Sequence, residues 1–241
     1  MIIDRRRALR FVVSAALFTA NAASATDLAP LIGSASEPPA PWRVVGLPQQ
    51  AKPLTRFSLA QIDGKRVLRV EADQAYGNLV HPLEGTRAGT LSWRWRVDQP
   101  ARGADLQRKS GDDVALKVCA FFDMPMAQVP FVERQLLRLA SSRAGEKLPT
   151  ATLCYAWDAT LPQGTLLRNA YTHRVRYIVT HGTPKSWREE THDLAADFER
   201  AFGDESREVP ALTAIVIGAD SDNTGSHSIG YVSDLHLSSA P

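Results

Sequence analysis

The chain has 241 residues, of which 44% are hydrophobic and 22% are charged, as expected for one globular domain with a sizeable core. The formal net charge is +2, but the first 25 residues carry four arginines and one aspartate, so the remainder is slightly acidic. Net charge therefore gives no support for a nucleic-acid partner.

The N-terminal segment has the pattern of an export signal. A basic start with Arg5, Arg6 and Arg7 precedes an apolar run at 11–23, and Ala23-Ser24-Ala25 provides small residues for cleavage. We predict a signal peptide at 1–25 and a periplasmic or secreted mature chain. The general and twin-arginine routes both stay open. The apolar run is too short for a membrane anchor, and no later stretch has the length of a transmembrane helix.

Residues 26–41 are rich in Ala, Ser and Pro and are predicted to form an extended linker. A single domain is predicted for 42–241. Its first strands, 57–62 and 66–72, are joined by Asp63-Gly64, a strong hairpin signal. Further short apolar runs predict strands at 77–83, 91–98, 114–122, 152–158, 174–180, 212–217 and 229–237.

The strand at 91–98 shows the clearest alternation. Leu91, Trp93, Trp95 and Val97 fall on one face, and the polar residues between them fall on the other. We expect the two tryptophans to lie in the core; a sugar-stacking role is the alternative. Among the other tryptophans, Trp42 and Trp187 are candidates for stacking on a sugar because they lie outside the regular strands.

Two helices interrupt the strands. After Pro130, residues Val132, Leu136, Leu139 and Ala140 form an apolar stripe. A shorter helix at 193–202 has four apolar residues facing inward, namely Leu194, Phe198, Ala201 and Phe202. Many short strands with few helices predict a mainly β protein, a two-sheet β-sandwich or jelly roll with one or two short peripheral helices.

Cys119 and Cys154 are the only cysteines. In an oxidising compartment, an isolated pair predicts a disulfide bond. The alternative is a pair of buried free thiols.

The sequence resembles the bacterial family called Domain of Unknown Function 3047. Four motifs carry this resemblance: Trp93-Arg94-Trp95-Arg96-Val97, Gly111-Asp112-Asp113, Leu153-Cys154-Tyr155-Ala156-Trp157 and Asp220-Ser221-Asp222-Asn223-Thr224-Gly225. The family has no established activity to transfer. Its pattern is similar to galactose-binding-like sandwiches, which implies glycan binding by analogy of fold.

The segment 220–225 has oxygen-bearing side chains at alternate positions before a glycine, as a calcium loop requires. Asp220 and Asp222 are candidate metal ligands, with Asp234 as a later one. Calcium is the single cofactor that the sequence suggests. The alternative is a turn in which Asp and Asn side chains accept hydrogen bonds from backbone N–H groups.

Five cations lie opposite the predicted core positions of three strands. If these strands are neighbours in one sheet, the cations form a basic face for an acidic sugar or another anion. The alternative is a solvated outer face on which acids separate the cations. With Trp187, this predicted ligand site comprises Arg94, Arg96, Lys117, Arg174 and Arg176.

No familiar catalytic motif is present in the sequence. The leading hypothesis is a non-catalytic periplasmic binding domain for a glycan or another anionic envelope ligand. One alternative is a hydrolase or lyase acting on envelope carbohydrate, and another is a structural or assembly protein of the envelope. The oligomeric state stays open. Enzyme activity would need acids, or an acid and a histidine, to converge; the first candidates are Asp112, Asp113, Asp220, Asp222 and His192.

Overall fold

The computed structural model describes residues 28–238 except 34 and 146. The predicted signal peptide at 1–25 lies outside the described residues. The described part of the chain contains helices α1 (Phe131–Ala144) and α2 (Leu194–Phe202). It also contains twelve strands: β1 (Arg43–Val45), β2 (Arg56–Ile62), β3 (Lys65–Asp73), β4 (Tyr76–Thr86), β5 (Thr90–Gln99), β6 (Lys117–Phe122), β7 (Ala151–Asp158), β8 (Leu166–Arg168), β9 (Val175–His181), β10 (Arg188–Asp193), β11 (Leu212–Asp220) and β12 (His227–Ser238).

The strands form two sheets that enclose one main core. The seven-stranded sheet has the order β1-β4-β11-β6-β7-β9-β8, and the five-stranded sheet has the order β10-β5-β12-β3-β2. Strands β7 and β9 pair in parallel, whereas β5 and β12 at the centre of the smaller sheet pair antiparallel. The predicted mainly β, two-sheet sandwich is confirmed.

Aromatic side chains join the two sheets across the core. Trp93 and Trp95 of β5 are almost completely buried, as are Leu91 and Val97. The Trp93 ring lies 5.2 Å from the ring of Tyr155 on β7, measured between centroids. The alternation predicted for this strand is therefore confirmed, and both tryptophans belong to the core.

Helix α2 closes the core beside β10. It begins after Asp193, whose carboxylate accepts hydrogen bonds from the backbone N–H groups of Ala195 and Ala196 at 2.9 and 3.2 Å, a common way to satisfy free donors at a helix start. The four apolar residues predicted to face inward are all buried.

Helix α1 departs from the expectation for an amphipathic helix, because its apolar stripe does not pack into the core. Val132, Leu136 and Leu139 are 68%, 55% and 50% exposed, and Leu137 is the buried residue. Helical spacing shows that a stripe exists, but it does not show whether another element covers it.

The segment predicted as a linker packs against the domain. Among its described residues, Leu31 is buried in the main core, and the backbone N–H of Ala29 donates to His81 Nε2 at 3.0 Å. The Trp42 indole donates to the carbonyl of Ala29 at 2.9 Å. Among the described residues, no helix has the length and apolar character needed to cross a membrane.

Candidate binding cleft

A disulfide bond between Cys119 and Cys154 joins β6 to β7, as predicted. The two residues are direct partners in the antiparallel ladder, and their Cα atoms are 4.0 Å apart. Their side chains point away from the main core, since Val118 and Leu153 beside them point into it. The disulfide therefore lies on the outer face of the seven-stranded sheet.

This outer face forms the floor of a cleft of about 1010 Å³. Paired residues make a continuous row across the floor, from Val80 through Val216, Cys119 and Cys154 to Tyr177. The walls are provided by β1, α1 and the loops at 169–172 and 220–223. Binding sites for small molecules are typically concave and of roughly 300–1,000 Å³, so the cleft is a large site by this measure.

A buried ion pair lies at one end of the cleft. Lys117 Nζ is 3.0 Å from Asp220 Oδ1, and each side chain is 7% exposed. The same carboxylate oxygen accepts a hydrogen bond from the Val114 backbone N–H at 3.1 Å. Burial raises the pKa of Asp220 to about 6, although Lys117 opposes this. Charged groups this deeply buried persist only when they are paired.

Gly218 makes room for this pair. It is the ladder partner of both Lys117 and Asn78, and a Cβ atom at this position would collide with both side chains. The absence of a side chain here allows a charged and an amide group to lie side by side on the sheet.

At this end of the cleft, the carboxylate of Asp112 has only one of its two oxygens in a hydrogen bond to another described residue. Asp112 is 5% exposed. Its Oδ2 accepts a hydrogen bond from Asn169 Nδ2 at 2.6 Å, and this amide also contacts the Tyr177 hydroxyl at 3.1 Å. Oδ1 is buried and has no hydrogen-bond partner among the described residues. Burial raises the pKa of Asp112 above its ordinary value, against the hydrogen bond from Asn169. A buried acceptor of this kind needs a donor from elsewhere.

The loop at 220–225 is a turn closed by Asp113. The Asp113 carboxylate accepts hydrogen bonds from the backbone N–H groups of Asn223 and Thr224, at 3.1 and 2.8 Å. Two of the motifs that carry the family resemblance, 111–113 and 220–225, thus meet at the polar end of the cleft.

The three candidate calcium ligands do not converge. Asp220 pairs with Lys117, whereas Asp234 lies in the five-stranded sheet, 3.7 Å from Arg94. Asp222 lines the cleft, and burial together with Asp113 raises its pKa. Within the described ranges, no group of three His, Cys, Asp or Glu residues is placed to hold a metal ion.

The five predicted cations do not form one face. Arg94 and Arg96 lie on β5 in the five-stranded sheet, whereas Lys117 and Arg176 lie on β6 and β9 in the seven-stranded sheet. The prediction of a shared basic face required neighbouring strands, so it is wrong.

Arg174 and Arg176 are inside the protein beneath α2. An Arg174 amino group lies 2.7 Å from the carboxylate of Glu205, which also contacts Arg176. The Arg176 guanidinium also pairs with Asp204 at 2.9 Å and lies 4.2 Å from the centroid of the Phe202 ring. Their contacts hold α2 and the segment after it on the sheet.

Arg94, Arg96 and Trp187 do meet, on the outer face of the five-stranded sheet. The Arg94 guanidinium lies 5.5 Å from the centroid of the Trp187 ring. Acids lie between the cations on this face: Arg94 is 3.2 Å from Glu189, and Arg96 is 2.5 Å from Asp98. Ligand binding by this patch stays a prediction. The other stacking candidate, Trp42, is buried, with its ring 4.9 Å from that of His81.

Four of the five catalytic candidates gather at the polar end of the cleft, where Asp112, Asp113 and Asp220 influence one another's charge and Asp222 lines the wall. His192 lies elsewhere, on β10. Its ring nitrogens are 3.3 Å from the carboxylates of Glu190 and Asp197, one on each side.

Sequence reasoning missed several side chains of the cleft. Tyr171 donates to the carbonyl of Lys109 at 3.1 Å, and the Tyr76 ring lies 5.3 Å from Lys117 Nζ. Asn169 and Asn78 complete the polar end. These residues come from strands and loops far apart in the sequence, and no local pattern distinguishes them from ordinary turn or surface residues.

Comparison with solved structures gives weak overall similarity to other β-sandwich proteins. A family 29 carbohydrate-binding module is 12% identical, with 90% of each chain covered and a TM-score of 0.38. A mutant of such a module in complex with mannohexaose is also 12% identical, with 90% of this chain and 93% of that chain covered and a TM-score of 0.38. A cleaved adhesin domain of Lys-gingipain is 10% identical, with 88% and 98% covered and a TM-score of 0.42. At these values, what those proteins bind does not transfer to this chain.

No curated protein matches the chain. The model of a family described as "Protein of unknown function (DUF3047)" matches residues 40–236, most of the chain. This range includes both sheets almost completely and every residue described above at the polar end of the cleft. The resemblance seen in the sequence is confirmed: the chain belongs to the DUF3047 family.

Proposed function

We propose that this chain is a non-catalytic binding protein of the periplasm that holds a glycan of the cell envelope in the cleft. The observation that carries this proposal is the buried, unpartnered Oδ1 of Asp112, on a side chain that lines a large cleft. A sugar hydroxyl is a suitable donor for this oxygen, because a hydrogen bond to a charged acceptor contributes about 1.5–3 kcal/mol.

The groups around Asp112 fit a polyhydroxylated ligand. Asn78, Asn169 and Asn223 offer amide donors and acceptors, while Tyr76 and Tyr171 offer aromatic rings with a hydroxyl at the edge. A sugar presents both hydroxyls and apolar C–H faces, so a mixed lining of this kind matches both.

The charges that line the cleft favour a neutral glycan over an anionic one. Lys117 is paired with Asp220. Among the other cations that line the cleft, Lys147 and Arg174 lie 2.6 and 2.7 Å from carboxylates, and Arg43 is exposed on the edge strand β1. An anionic sugar would therefore have to compete with these pairs and approach Asp112 and Asp222. The proposal narrows the glycan to one without a carboxylate or phosphate at this end.

A glycan array tests the proposal with two matched variants. Asp112→Ala removes the acceptor and should weaken binding by roughly tenfold or more. Arg94→Ala alters the patch on the other sheet and should leave binding unchanged. Loss of binding in the Arg94 variant, with full binding in the Asp112 variant, would move the site to the five-stranded sheet and overturn the proposal.

Hydrolysis of a glycan is the second candidate function, and one observation favours it. Burial raises the pKa of Asp112 and of Asp222 at the same end of the cleft, and a carboxyl with a raised pKa is what a general acid requires. Release of reducing sugar from a bound glycan, abolished in Asp112→Asn, would establish hydrolysis. Recovery of the bound glycan intact after long incubation would support simple binding.

The periplasmic location rests on the basic and apolar pattern of residues 5–23 and on Ala23-Ser24-Ala25. The Cys119–Cys154 disulfide fits an oxidising compartment. N-terminal sequencing of the protein from a periplasmic extract should give Thr26 as the first residue. Recovery of the uncleaved chain in the cytoplasm would contradict this location.

A further inference from the structure

The two ends of the cleft differ in chemistry. Lys117, on the outer face of β6, marks the polar end, and Phe121 lies four residues further along the same face. A strand rises about 3.3 Å per residue, so these two positions are roughly 13 Å apart. Around Phe121 the lining includes a group of apolar residues beside the Lys147–Asp123 ion pair, namely Leu136, Leu137, Ala140, Leu148 and Pro149.

Helix α1 provides most of this apolar end. Leu136 and Ala140 are one turn apart and so lie on the same face of the helix, and both line the cleft. Leu136 is nevertheless 55% exposed. A leucine exposed at the rim of a cleft gains free energy when an apolar group covers it.

The apolar end is continuous with the polar end, since residues of both line one cavity over one row of paired strands. A cleft of about 1010 Å³ is at the upper limit of the roughly 300–1,000 Å³ usual for ligand sites. It therefore has room for more than the sugar units that Asp112 and its neighbours can contact.

We propose that the ligand is an amphiphile, a neutral saccharide joined to an alkyl or acyl chain, with the sugar at the Asp112 end of the cleft and the chain against Leu136, Ala140 and Phe121. This inference rests on the proposed function and names the class of glycan, a glycolipid. The carboxylates of Asp112 and Asp222 at the polar end disfavour a phosphate headgroup, since the nearby cation Lys117 is already paired with Asp220.

Alkyl maltosides with chains of six to twelve carbons, each below its critical micelle concentration, provide the probe. Calorimetric titration of the mature protein should give one molecule bound per chain. Affinity should rise with chain length, by up to about fourfold for each methylene that becomes buried. Because the apolar end does not contact the sugar, this slope does not depend on whether maltose is the natural saccharide.

The variant Leu136→Asp should remove most of the dependence on chain length. Phe131→Asp is the matched control, because Phe131 is 70% exposed on the same helix but does not line the cleft. It should keep the slope of the unmodified protein. Affinity independent of chain length, or the absence of binding at every length, would overturn the inference. A slope lost equally in both variants would indicate adsorption to the helix surface and would also overturn it.

Failure of the glycolipid inference can be separated from failure of the proposed function. Free oligosaccharides that bind in an Asp112-dependent way, without any effect of an alkyl chain, would leave glycan binding intact and remove the lipid. Linear alcohols that bind as tightly as the maltosides, with no effect of Asp112→Asn, would remove the sugar from the proposal.

Discussion

Two pairs of arginines occupy equivalent places in the alternation of their strands but opposite places in the molecule. Arg94 and Arg96 on β5 lie on an outer face, beside the exposed Glu189 and the part-buried Asp98, whereas Arg174 and Arg176 at β9 lie inside, around Glu205. Alternation separates the two faces of a strand, but the elements that pack on each face decide which one is buried. Helix α2 packs over the face of β9 that carries the two arginines, so these side chains are buried.

The largest expected effect is on the inner pair. Glu205→Ala leaves two buried guanidinium groups without this partner, and removing one member of a buried ion pair typically costs about 3–5 kcal/mol. Urea unfolding should show this loss in the free energy of unfolding. The control, Glu189→Ala, removes an exposed partner of Arg94 on the outer face and should cost no more than about 1 kcal/mol. Equal losses in the two variants would contradict the contrast between the faces.

The second effect concerns the cleft floor, where the disulfide ties β6 to β7 across a sequence separation of 35 residues. Replacing both cysteines by alanine should lower the free energy of unfolding by about 3–4 kcal/mol, mainly because the unfolded chain regains freedom. Denaturant titration with and without a reducing agent measures the loss. Insensitivity of the unmodified protein to the reductant under unfolding conditions would show that the bond is absent.

The third effect is a pH dependence of stability at the edge of the five-stranded sheet, where His192 lies on β10. Burial opposes the charge of His192, but Asp197 and Glu190 outweigh it and raise its pKa above the ordinary value. Its contribution to stability is therefore complete below the unfolded pKa, near 6.5, and is lost as the pH rises through the folded pKa.

Unfolding experiments at pH 5.5 and pH 8.5 test this sign with His192→Gln. The unmodified protein should exceed the variant in stability by a larger margin at the lower pH. A margin that grows towards high pH would show that His192 is held neutral instead.

The smallest effect belongs to the outer arginines themselves. Arg94→Ala removes a contact with Trp187 and two exposed acids, so a loss of at most about 1 kcal/mol is expected. Thermal unfolding should show this small difference from the unmodified protein at low salt and a smaller one at 1 M salt, because salt screens exposed charges. A loss of several kcal/mol in the free energy of unfolding would show that Arg94 contributes as much to stability as the buried arginines do, and would contradict the contrast between the two pairs.

The fold was largely predictable because bulky residues mark the inward positions of the long strands. Leu91, Trp93, Trp95 and Val97 are all buried, as their spacing predicts. The short edge strands β1, β8 and β10 escaped prediction, since three to six residues with mixed polarity carry no clear period.

The cleft was far less predictable. The disulfide and the acids Asp112, Asp220 and Asp222 were recognisable by residue type, but their convergence depends on which strands become neighbours. Asn169 reaches Asp112 across 57 positions of sequence, and no local pattern predicts such a contact. Helix α1 was identified by its apolar stripe. The exposure of that stripe could not be predicted, because it depends on whether another element of the fold packs against it.

The position of β12 between β5 and β3 has a consequence for incomplete chains. It forms hydrogen bonds with both neighbours. A polypeptide that stops before residue 227 would therefore leave the edges of β5 and β3 unpaired. Such edges are templates for pairing with other molecules. Premature termination is therefore expected to produce aggregates and proteolytic fragments in place of a smaller folded unit.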